Sequence, residues 1–486
     1  MTKTDTPVPH TVRIAGACND IITWGLVALV IFTPLAFGGV YVWAFSVAAL
    51  TVVALLIVWL LKCGFAGCPP VVLGPLGVSL VCVCGLAAFQ MVPLPPWLLA
   101  RLSPAAHCVY QRALPGWPSS YRSKPPCTGQ AQTPQNPSPA PTVSRGTQTW
   151  RSLSLYRHAT KEQLIKLLSY AGAFLLIVNN VTSPRRIRHL CWAVVGVGFF
   201  QALYGLIEYF SGYGHIYFWR KHAIDSVSGT YTNRNHFAGY LEMAIPMALG
   251  MLMARAAGAG RSVGHWRHRL ARDLPGLFGR AGLVFAILVM IVGLVFSQSR
   301  GGIISFLPAL GVMQFLLLLT GTRRRRKAAA FLFLAIYLPV AWGAWIGLGP
   351  VTRRLALIHT EFLEGGRFSR WNEGLKIARD FPLTGTGLGT FRHVHPAYDA
   401  TPSQTIVLYH AHNDYIEFLS ETGIVGLIAV MPGVCLFFIG AVRRWFERKD
   451  AFSRGVALAG ITAFVSIASH SITDFNLRTA PMKNRH

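Results

Sequence analysis

Residues 41–61 read YVWAFSVAALTVVALLIVWLL, and this stretch decides the fold class. It has no charged side chain and has the length of a helix that crosses the hydrocarbon core of a bilayer. Similar apolar stretches occur before and after it, at 21–37, 71–92, 164–181, 189–210, 237–253, 283–296, 303–319, 331–348, 424–442 and 456–472. The sequence therefore predicts an all-α fold, a polytopic membrane bundle of about 11 transmembrane helices with large outer loops.

The composition agrees with a membrane protein. Hydrophobic residues make up 52% of the chain and charged residues only 13%. A formal net charge of +27 could instead indicate nucleic-acid binding. The Lys and Arg residues, however, cluster in short runs between apolar segments, where positive charge fixes the orientation of helices in a membrane. We therefore expect a lipid bilayer as partner and no nucleic acid.

The basic runs also predict the orientation. With residues 1–20 as a cytoplasmic segment, the basic loops at 185–188, 255–280, 323–327 and 443–449 all fall on the cytoplasmic side, as the positive-inside rule requires. Alternation then places four regions outside. They are residues 93–163, 211–236, 297–302 and 349–412.

The chain accordingly divides into six segments. They are the cytoplasmic segment 1–20, the first three helices in 21–92, a long outer loop in 93–163, helices four to nine in 164–348, an outer loop domain with Arg367 in 349–411, and the last helices with His412 in 412–486. Residues 115–149 are rich in Pro, Ser, Gln and Thr, so we expect disorder there. Cys108 and Cys127 both lie in the outer loop 93–163, and a disulfide between them would form only in an oxidising compartment.

Two polar clusters lie where outer loops enter helices. In 229–236, Asn233 and Asn235 either cap the following helix or present amides to a sugar or phosphate. In 297–302, Arg300 stands at a predicted helix N-terminus, where anions are favoured, and small residues allow close approach of a ligand. The alternative for Arg300 is an interfacial side chain that reaches toward water.

Two further clusters lie in the last outer region. Arg367, with Arg370 as a second candidate, has a guanidinium that suits phosphate oxygens, although either could be a plain surface charge. In 410–414, neutral imidazole suits proton acceptance near pH 7, and Asp414 and Glu417 could orient it. The alternatives are a structural histidine or metal ligands completed by His393 and His395. We expect no metal and no cofactor.

At these residues the chain resembles the O-antigen ligase and polymerase superfamily. The strongest match is His412-Asn413, nine residues, Gly423, two residues and Gly426. Further matches follow in the family's order over roughly the second half of the chain, at 233–239, 299–302, 366–371 and 382–389. Members usually close with another helix after an Asp-Phe-Asn motif, giving twelve, whereas only residues 477–486 follow that motif here.

The resemblance implies an inverting, metal-independent glycosyltransferase of surface polysaccharide or exopolysaccharide biosynthesis, located in the bacterial inner membrane with its site facing the periplasm. Arg300 and Arg367 would bind the diphosphate of an undecaprenyl-linked glycan donor, and His412 would activate the hydroxyl of a saccharide, lipid A core or protein acceptor. Supporting residues would be Asn233, Asn235, Arg370, His410, Asn413 and Asp414, of which His410 matches no family position.

The rival interpretation is a polysaccharide transporter or flippase. Such a protein places ionisable residues in the middle of helices. Most candidates here lie at helix ends or in loops, and Glu208 and Glu242, predicted near helix ends, are the partial exceptions. Within the enzyme class, the sequence does not choose between a polymerase and a ligase.

Overall fold

The computed structural model of the protein describes residues 10–67, 70–114, 117, 150–220, 226–257, 266–319, 367–399 and 410–475. Helices dominate these residues. They are α1 His10–Leu35, α2 Val42–Ala66, α3 Gly74–Gln90, α4 Pro96–Leu102, α5 Pro104–Ala113, α6 Arg157–Asn180, α7 Pro184–Ser211, α8 Arg234–Ala257, α9 Trp266–Phe296, α10 Arg300–Leu319, α11 Arg367–Asp380, α12 Phe391–Val394, α13 Asp414–Glu447 and α14 Ala451–His470.

The strands in the described residues form two short antiparallel pairs. In the first, β1 (Pro93–Leu94) pairs with β2 (Arg151–Ser152), with Pro93 opposite Ser152. In the second, β3 (His215–Ile216) pairs with β4 (Trp219–Arg220). Two 3-10 turns, Phe37–Gly39 and His395–Ala397, complete the described elements.

The predicted all-α polytopic bundle is confirmed. Nine described helices are long and apolar enough to cross a bilayer, namely α1, α2, α6, α7, α8, α9, α10, α13 and α14. Helix α3 is apolar but shorter, and the predicted span 331–348 lies outside the described residues. The chain is a multi-pass membrane protein, and the count of eleven helices stays a prediction.

The chain forms two compact units. We call Met1–Leu73, Gly172–Ala341 and Leu436–His486 the bundle unit, and Gly74–Ala171 and Trp342–Cys435 the loop unit. In the bundle unit, α8 packs against α14 and α9, and α14 packs against α10. A Cβ on Gly250 of α8 would overlap the carbonyl oxygen of Gly455 of α14. Small residues thus let these two helices approach closely.

One end of the bundle unit collects basic side chains. Arg186 at the start of α7 lies 3.5 Å from Asp20. Arg188 stacks over Phe452 at the start of α14, and Arg255 near the end of α8 stacks over Trp192. Arg186, Arg188 and Arg255, from two of the predicted cytoplasmic loops, therefore lie at the end of the unit where α7 and α14 begin and α8 ends. Helix α10 begins near the end of α14, at the opposite end. This arrangement agrees with the predicted alternation, and the side of the membrane stays a prediction.

The loop unit contains structure where the sequence predicted a long loop. Residues 93–163 form β1, α4, α5 and β2 at their described edges, and α6 begins at Arg157 rather than near Leu164. Ala106, Ile377, Phe391 and Ala411 share a buried apolar cluster in this unit. The stretch 118–149 lies outside the described residues, so the expected disorder and the Cys108–Cys127 disulfide stay predictions.

Candidate functional site

The His412 segment opens helix α13 in the loop unit. His412 has a positive φ of 53°, a conformation that non-glycine residues adopt rarely and in which histidine is enriched. The next residue, Asn413, accepts hydrogen bonds at Oδ1 from the backbone N–H groups of Tyr415 (3.0 Å) and Ile416 (3.1 Å). Asn413 is therefore the N-cap of α13. The left-handed residue leaves the imidazole half-buried just outside the helix.

A buried carboxylate fixes the residues before His412. Glu417 Oε1 lies 2.9 Å from His410 Nδ1, and Oε2 accepts a hydrogen bond of 2.9 Å from the backbone N–H of Ala411. Asp414 and Glu417 were expected to orient an imidazole of this segment; Glu417 contacts that of His410, and an effect on His412 stays a prediction. Asp414 is buried in the first turn of α13, where the helix dipole favours a carboxylate.

Helix α13 breaks at Gly423, which has φ 62° and ψ −164°. This region of backbone conformation belongs almost only to glycine. The break frees backbone groups that then pair with the glycine-rich segment 382–389. Ile424 N–H donates to Pro382 O (2.8 Å), and the N–H groups of Thr386 and Gly387 donate to Ser420 O (3.1 Å) and Glu421 O (3.0 Å). Two matched family motifs thus form one hydrogen-bonded structure.

Gln90, the last residue of α3, joins this structure and was missed from the sequence. Its Nε2 donates to Thr384 O (2.7 Å) and Glu421 O (2.9 Å), and its Oε1 accepts from Leu388 N–H (3.0 Å). Its side chain is fully buried, and every bond joins it to residues about 300 positions away. A single glutamine at a helix end carries no such signal in the sequence.

Helix α11 presents the second group of predicted residues. It begins at Arg367, and Arg370 lies one turn later, half-buried. Burial lowers the pKa of the Arg370 guanidinium, the positive charge of Arg367 lowers it further, and Glu373 and Asp399 oppose the shift. Arg370 Nε has no hydrogen-bond partner among the described residues. Two close guanidinium groups with a free donor suit an anion.

The position of α11 is held by another buried pair that the sequence did not reveal. Glu373 Oε2 lies 2.6 Å from His395 Nε2, and Glu373 Oε1 accepts from Ser369 Oγ (2.9 Å). His395, which we considered as a metal ligand, is thus paired with Glu373. His393 lies beside Arg392 and Tyr156, and the part of the chain that the structure describes contains no group of three ligands suited to a metal ion.

The remaining predicted residues lie in the bundle unit. Asn233 Oδ1 accepts from the backbone N–H of Asn235 (2.8 Å), so Asn233 caps α8. Asn235 has a different role, because its Oδ1 accepts from Ser299 Oγ (3.0 Å). Ser299 Oγ in turn accepts from Gly302 N–H (3.2 Å) and caps α10. Arg300 is the first residue of α10, as predicted, and its side chain is exposed.

Gly301 and Gly302 have a packing role that the sequence did not indicate, and their part in ligand approach stays a prediction. We expected them to allow close approach of a ligand. A Cβ on Gly302 would lie 2.7 Å from Glu242 Oε1, and one on Gly301 would lie 3.1 Å from His470 Nε2. The glycines therefore let α10 pack against Glu242 and His470. Glu242 lies more than two turns inside α8 and is fully buried, so placing it near a helix end was wrong.

Comparisons with known proteins agree with these motifs. Residues 285–431 match the model of a family described as O-antigen ligase, and this segment includes Arg300, Arg367, Arg370 and His412. The chain is also 25% identical over 250 residues to "Exopolysaccharide production protein ExoQ" of Rhizobium meliloti (strain 1021). That similarity covers 50% of this chain and 54% of the relative, so the chain matches about half the length of that protein. The predicted resemblance to the O-antigen ligase and polymerase superfamily is thereby confirmed, over residues 285–431 for the family model and over half of the chain for the relative.

Proposed function

We propose that this protein is a membrane glycosyltransferase of surface polysaccharide or exopolysaccharide biosynthesis. It transfers a glycan from an undecaprenyl-diphosphate-linked donor to an acceptor hydroxyl on the periplasmic side of the inner membrane. The match of residues 285–431 to the O-antigen ligase family and the similarity to an exopolysaccharide production protein support this class. The acceptor is a saccharide, in which case the protein is a polymerase, or a lipid A core or protein, in which case it is a ligase.

The observation that carries the proposal is the backbone held around His412. Glu417 fixes Ala411 on one side, and the Asn413 cap fixes the start of α13 on the other. The imidazole between them is attached to a left-handed residue and is half-buried. A general base needs a fixed position and access to its substrate. The held backbone and partial exposure of His412 support this role, whereas His410 is buried against Glu417.

In the proposed reaction, His412 accepts the proton of the acceptor hydroxyl as its oxygen attacks the anomeric carbon. The new carbon–oxygen bond forms while the bond from that carbon to the diphosphate breaks. The electron pair leaves with undecaprenyl diphosphate, and the configuration at the anomeric carbon inverts. Because negative charge grows on the leaving diphosphate, positive groups that contact it stabilise the transition state.

Arginines are proposed to supply that charge. Arg367 and Arg370 lie one turn apart at the start of α11, and the free Nε donor of Arg370 among the described residues favours it as a direct ligand. We therefore propose that Arg370 binds the diphosphate together with Arg367. Arg300 keeps the role of diphosphate ligand that the resemblance gives it, and its exposure at the start of α10 is compatible with that role.

Transport is the second candidate, favoured by one observation. Glu242 and His470 form a buried ionisable pair between membrane-spanning helices, and such residues often mark substrate pathways. Reconstitution into vesicles with a lipid-linked oligosaccharide separates the two functions. A new glycosidic bond to added acceptor, seen by mass spectrometry and lost in His412→Ala, supports the transferase. Movement of the oligosaccharide across the bilayer without a new bond contradicts it.

A further inference from the structure

A buried polar cluster lies among three helices of the bundle unit. Glu242 of α8 and His470 at the end of α14 are both fully buried, and Glu242 Oε1 lies 2.9 Å from His470 Nδ1. Glu242 Oε2 accepts from Ser466 Oγ of α14 (2.8 Å) and Ser305 Oγ of α10 (3.0 Å). The Ser305 hydroxyl also lies 2.7 Å from Gly301 O of its own helix, so its single proton is shared between the carboxylate and that carbonyl. We call these four side chains the Glu242 cluster.

The Glu242 cluster contacts the first turn of α10, which begins at Arg300. Gly302 approaches Glu242 Oε1, and Gly301 approaches His470 Nε2 and Thr473 Oγ1, so closely that neither position has room for a Cβ. On the other side of Arg300, Ser299 caps the helix and donates to Asn235. The backbone around Arg300 is thus attached to α8 and α14 on both sides, while the guanidinium itself is exposed.

Burying these polar side chains costs free energy, which suggests that they are kept because the position of the first turn of α10 matters. A carboxylate and an imidazole buried among membrane-spanning helices need polar partners, and here hydroxyls of two other helices reach the carboxylate. Bonds from one side chain to α10 and α14 fix the distances between three helices. Apolar packing would stabilise the helices without fixing the rotation of α10 that sets where Arg300 points.

We propose that Glu242 is a positioning residue, which together with His470 holds the first turn of α10 so that Arg300 faces the diphosphate of the donor. The inference rests on the proposed function of Arg300. It assigns Glu242 no contact with substrate and no proton transfer. Its effect must therefore pass through Arg300 and appear in donor affinity, because a displacement of about 1 Å at such a group costs up to about 100-fold.

The experiment compares Glu242→Ala, Glu242→Gln, Arg300→Ala and the double variant Glu242→Ala/Arg300→Ala in vesicles with lipid-linked oligosaccharide. We expect Glu242→Ala to raise the donor KM about 10- to 100-fold and also to lower kcat, because Arg300 is proposed to stabilise the leaving diphosphate in the transition state. Glu242→Gln, whose amide oxygen still accepts from both serines, should keep most of the affinity. The double variant should have the donor KM of Arg300→Ala alone, because residues that act as a unit are not additive.

Asn180→Ala is the matched control. It removes the buried contact of Asn180 Oδ1 with Lys62 Nζ (2.9 Å), which lies in the same unit at its basic end. We expect it to lower thermal stability without raising the donor KM. If Glu242→Ala does not fold, Ser305→Ala and Ser466→Ala each remove one hydroxyl and should raise the KM by smaller factors.

Two results would overturn the inference. One is an unchanged donor KM in folded Glu242→Ala or in both serine variants. The other is an additive effect of Glu242→Ala in the Arg300→Ala background. Failure of the proposed function looks different, because then the wild-type protein forms no glycosidic bond. In that case, hydrogen exchange still tests the structural step: if Glu242 holds the turn, the amides of residues 301–305 lose protection in Glu242→Ala.

Discussion

The two units use the glycines of the matched motifs for different physical purposes. In the bundle unit, Gly301 and Gly302 lie inside a regular helix and are required by space, because a carboxylate and an imidazole lie where side chains would be. In the loop unit, Gly385, Gly387, Gly389 and Gly423 all have positive φ and are required by conformation. Glycine-rich motifs in one sequence thus do not predict one kind of site.

The glutamate–histidine pairs show the same contrast. The Glu242–His470 pair joins transmembrane helices and contacts the first turn of α10, which carries Arg300, a proposed diphosphate ligand. The Glu417–His410 and Glu373–His395 pairs of the loop unit fix segments at the starts of α13 and α11. Each pair thus fixes the structure next to a candidate site residue, namely Arg300, His412 or Arg367.

The largest expected effect separates the two units by their histidines. His412→Ala should reduce kcat by about 10²- to 10⁴-fold, the usual contribution of a general base, with little change in the donor KM. His470→Ala should instead raise the donor KM. Rates of glycosidic bond formation at varied donor concentration distinguish the two. His393→Ala, an exposed histidine of the loop unit, is the control, and normal polymer from His412→Ala would remove His412 from the mechanism.

The arginines of α11 should show the next largest effect. Arg367→Ala and Arg370→Ala should each weaken donor binding by about 10- to 100-fold, the loss expected for a charge-assisted contact. Direct binding of the lipid-linked donor in detergent, by calorimetry or fluorescence, measures this. Arg379→Ala, an exposed arginine on the last turn of the same helix, should bind normally. Equal affinity in all three variants would contradict the assignment of α11.

A glycine comparison tests the conformational explanation for the loop unit. Gly423→Ala places a Cβ in a backbone region open almost only to glycine and against the carbonyl oxygen of Leu383, so it should destabilise by at least about 1–3 kcal/mol. Gly460→Ala in α14, with nothing within 4 Å, should be neutral or slightly stabilising. Thermal unfolding in detergent measures both, and equal melting temperatures would refute the explanation.

The smallest expected effect concerns the start of α13. Asn413→Ala removes the side-chain cap and should cost about 1 kcal/mol, whereas Asn413→Ser should recover most of it. Hydrogen exchange at Tyr415 and Ile416 should increase in the alanine variant. If exchange and activity change equally in both variants, Asn413 has a role beyond capping.

Much of the fold could be predicted because transmembrane spans depend on local composition. Each apolar stretch within the described residues contains or overlaps a helix, and Arg300 begins α10 as expected. The partners of polar side chains could not be predicted in the same way. Gln90 with Thr384, and Glu242 with Ser466, are joined only by the fold, across long separations in sequence.

The contact of Glu417 with His410 could not be predicted, for a local reason. Glu417 lies five residues from His412 and seven from His410, so spacing alone did not favour either partner. In the structure, His412 has a left-handed backbone, and both His410 and Ala411 before it contact Glu417 of α13. A positive φ at a non-glycine residue is rare, and the sequence gives little indication of it.

The break at Gly423 divides α13 into two parts, and their lengths bear on how far from the hydrocarbon core of the bilayer the proposed reaction occurs. At 34 residues, α13 is about 50 Å long, which exceeds the hydrocarbon thickness of about 30 Å. The part after Gly423, about 36 Å, is enough to cross the bilayer, and the part before it is about 13 Å long. We therefore expect His412 to lie near the outer edge of the lipid headgroups. A hydrated glycan could reach it there without entering the hydrocarbon, so a bulky acceptor needs no passage through the bundle.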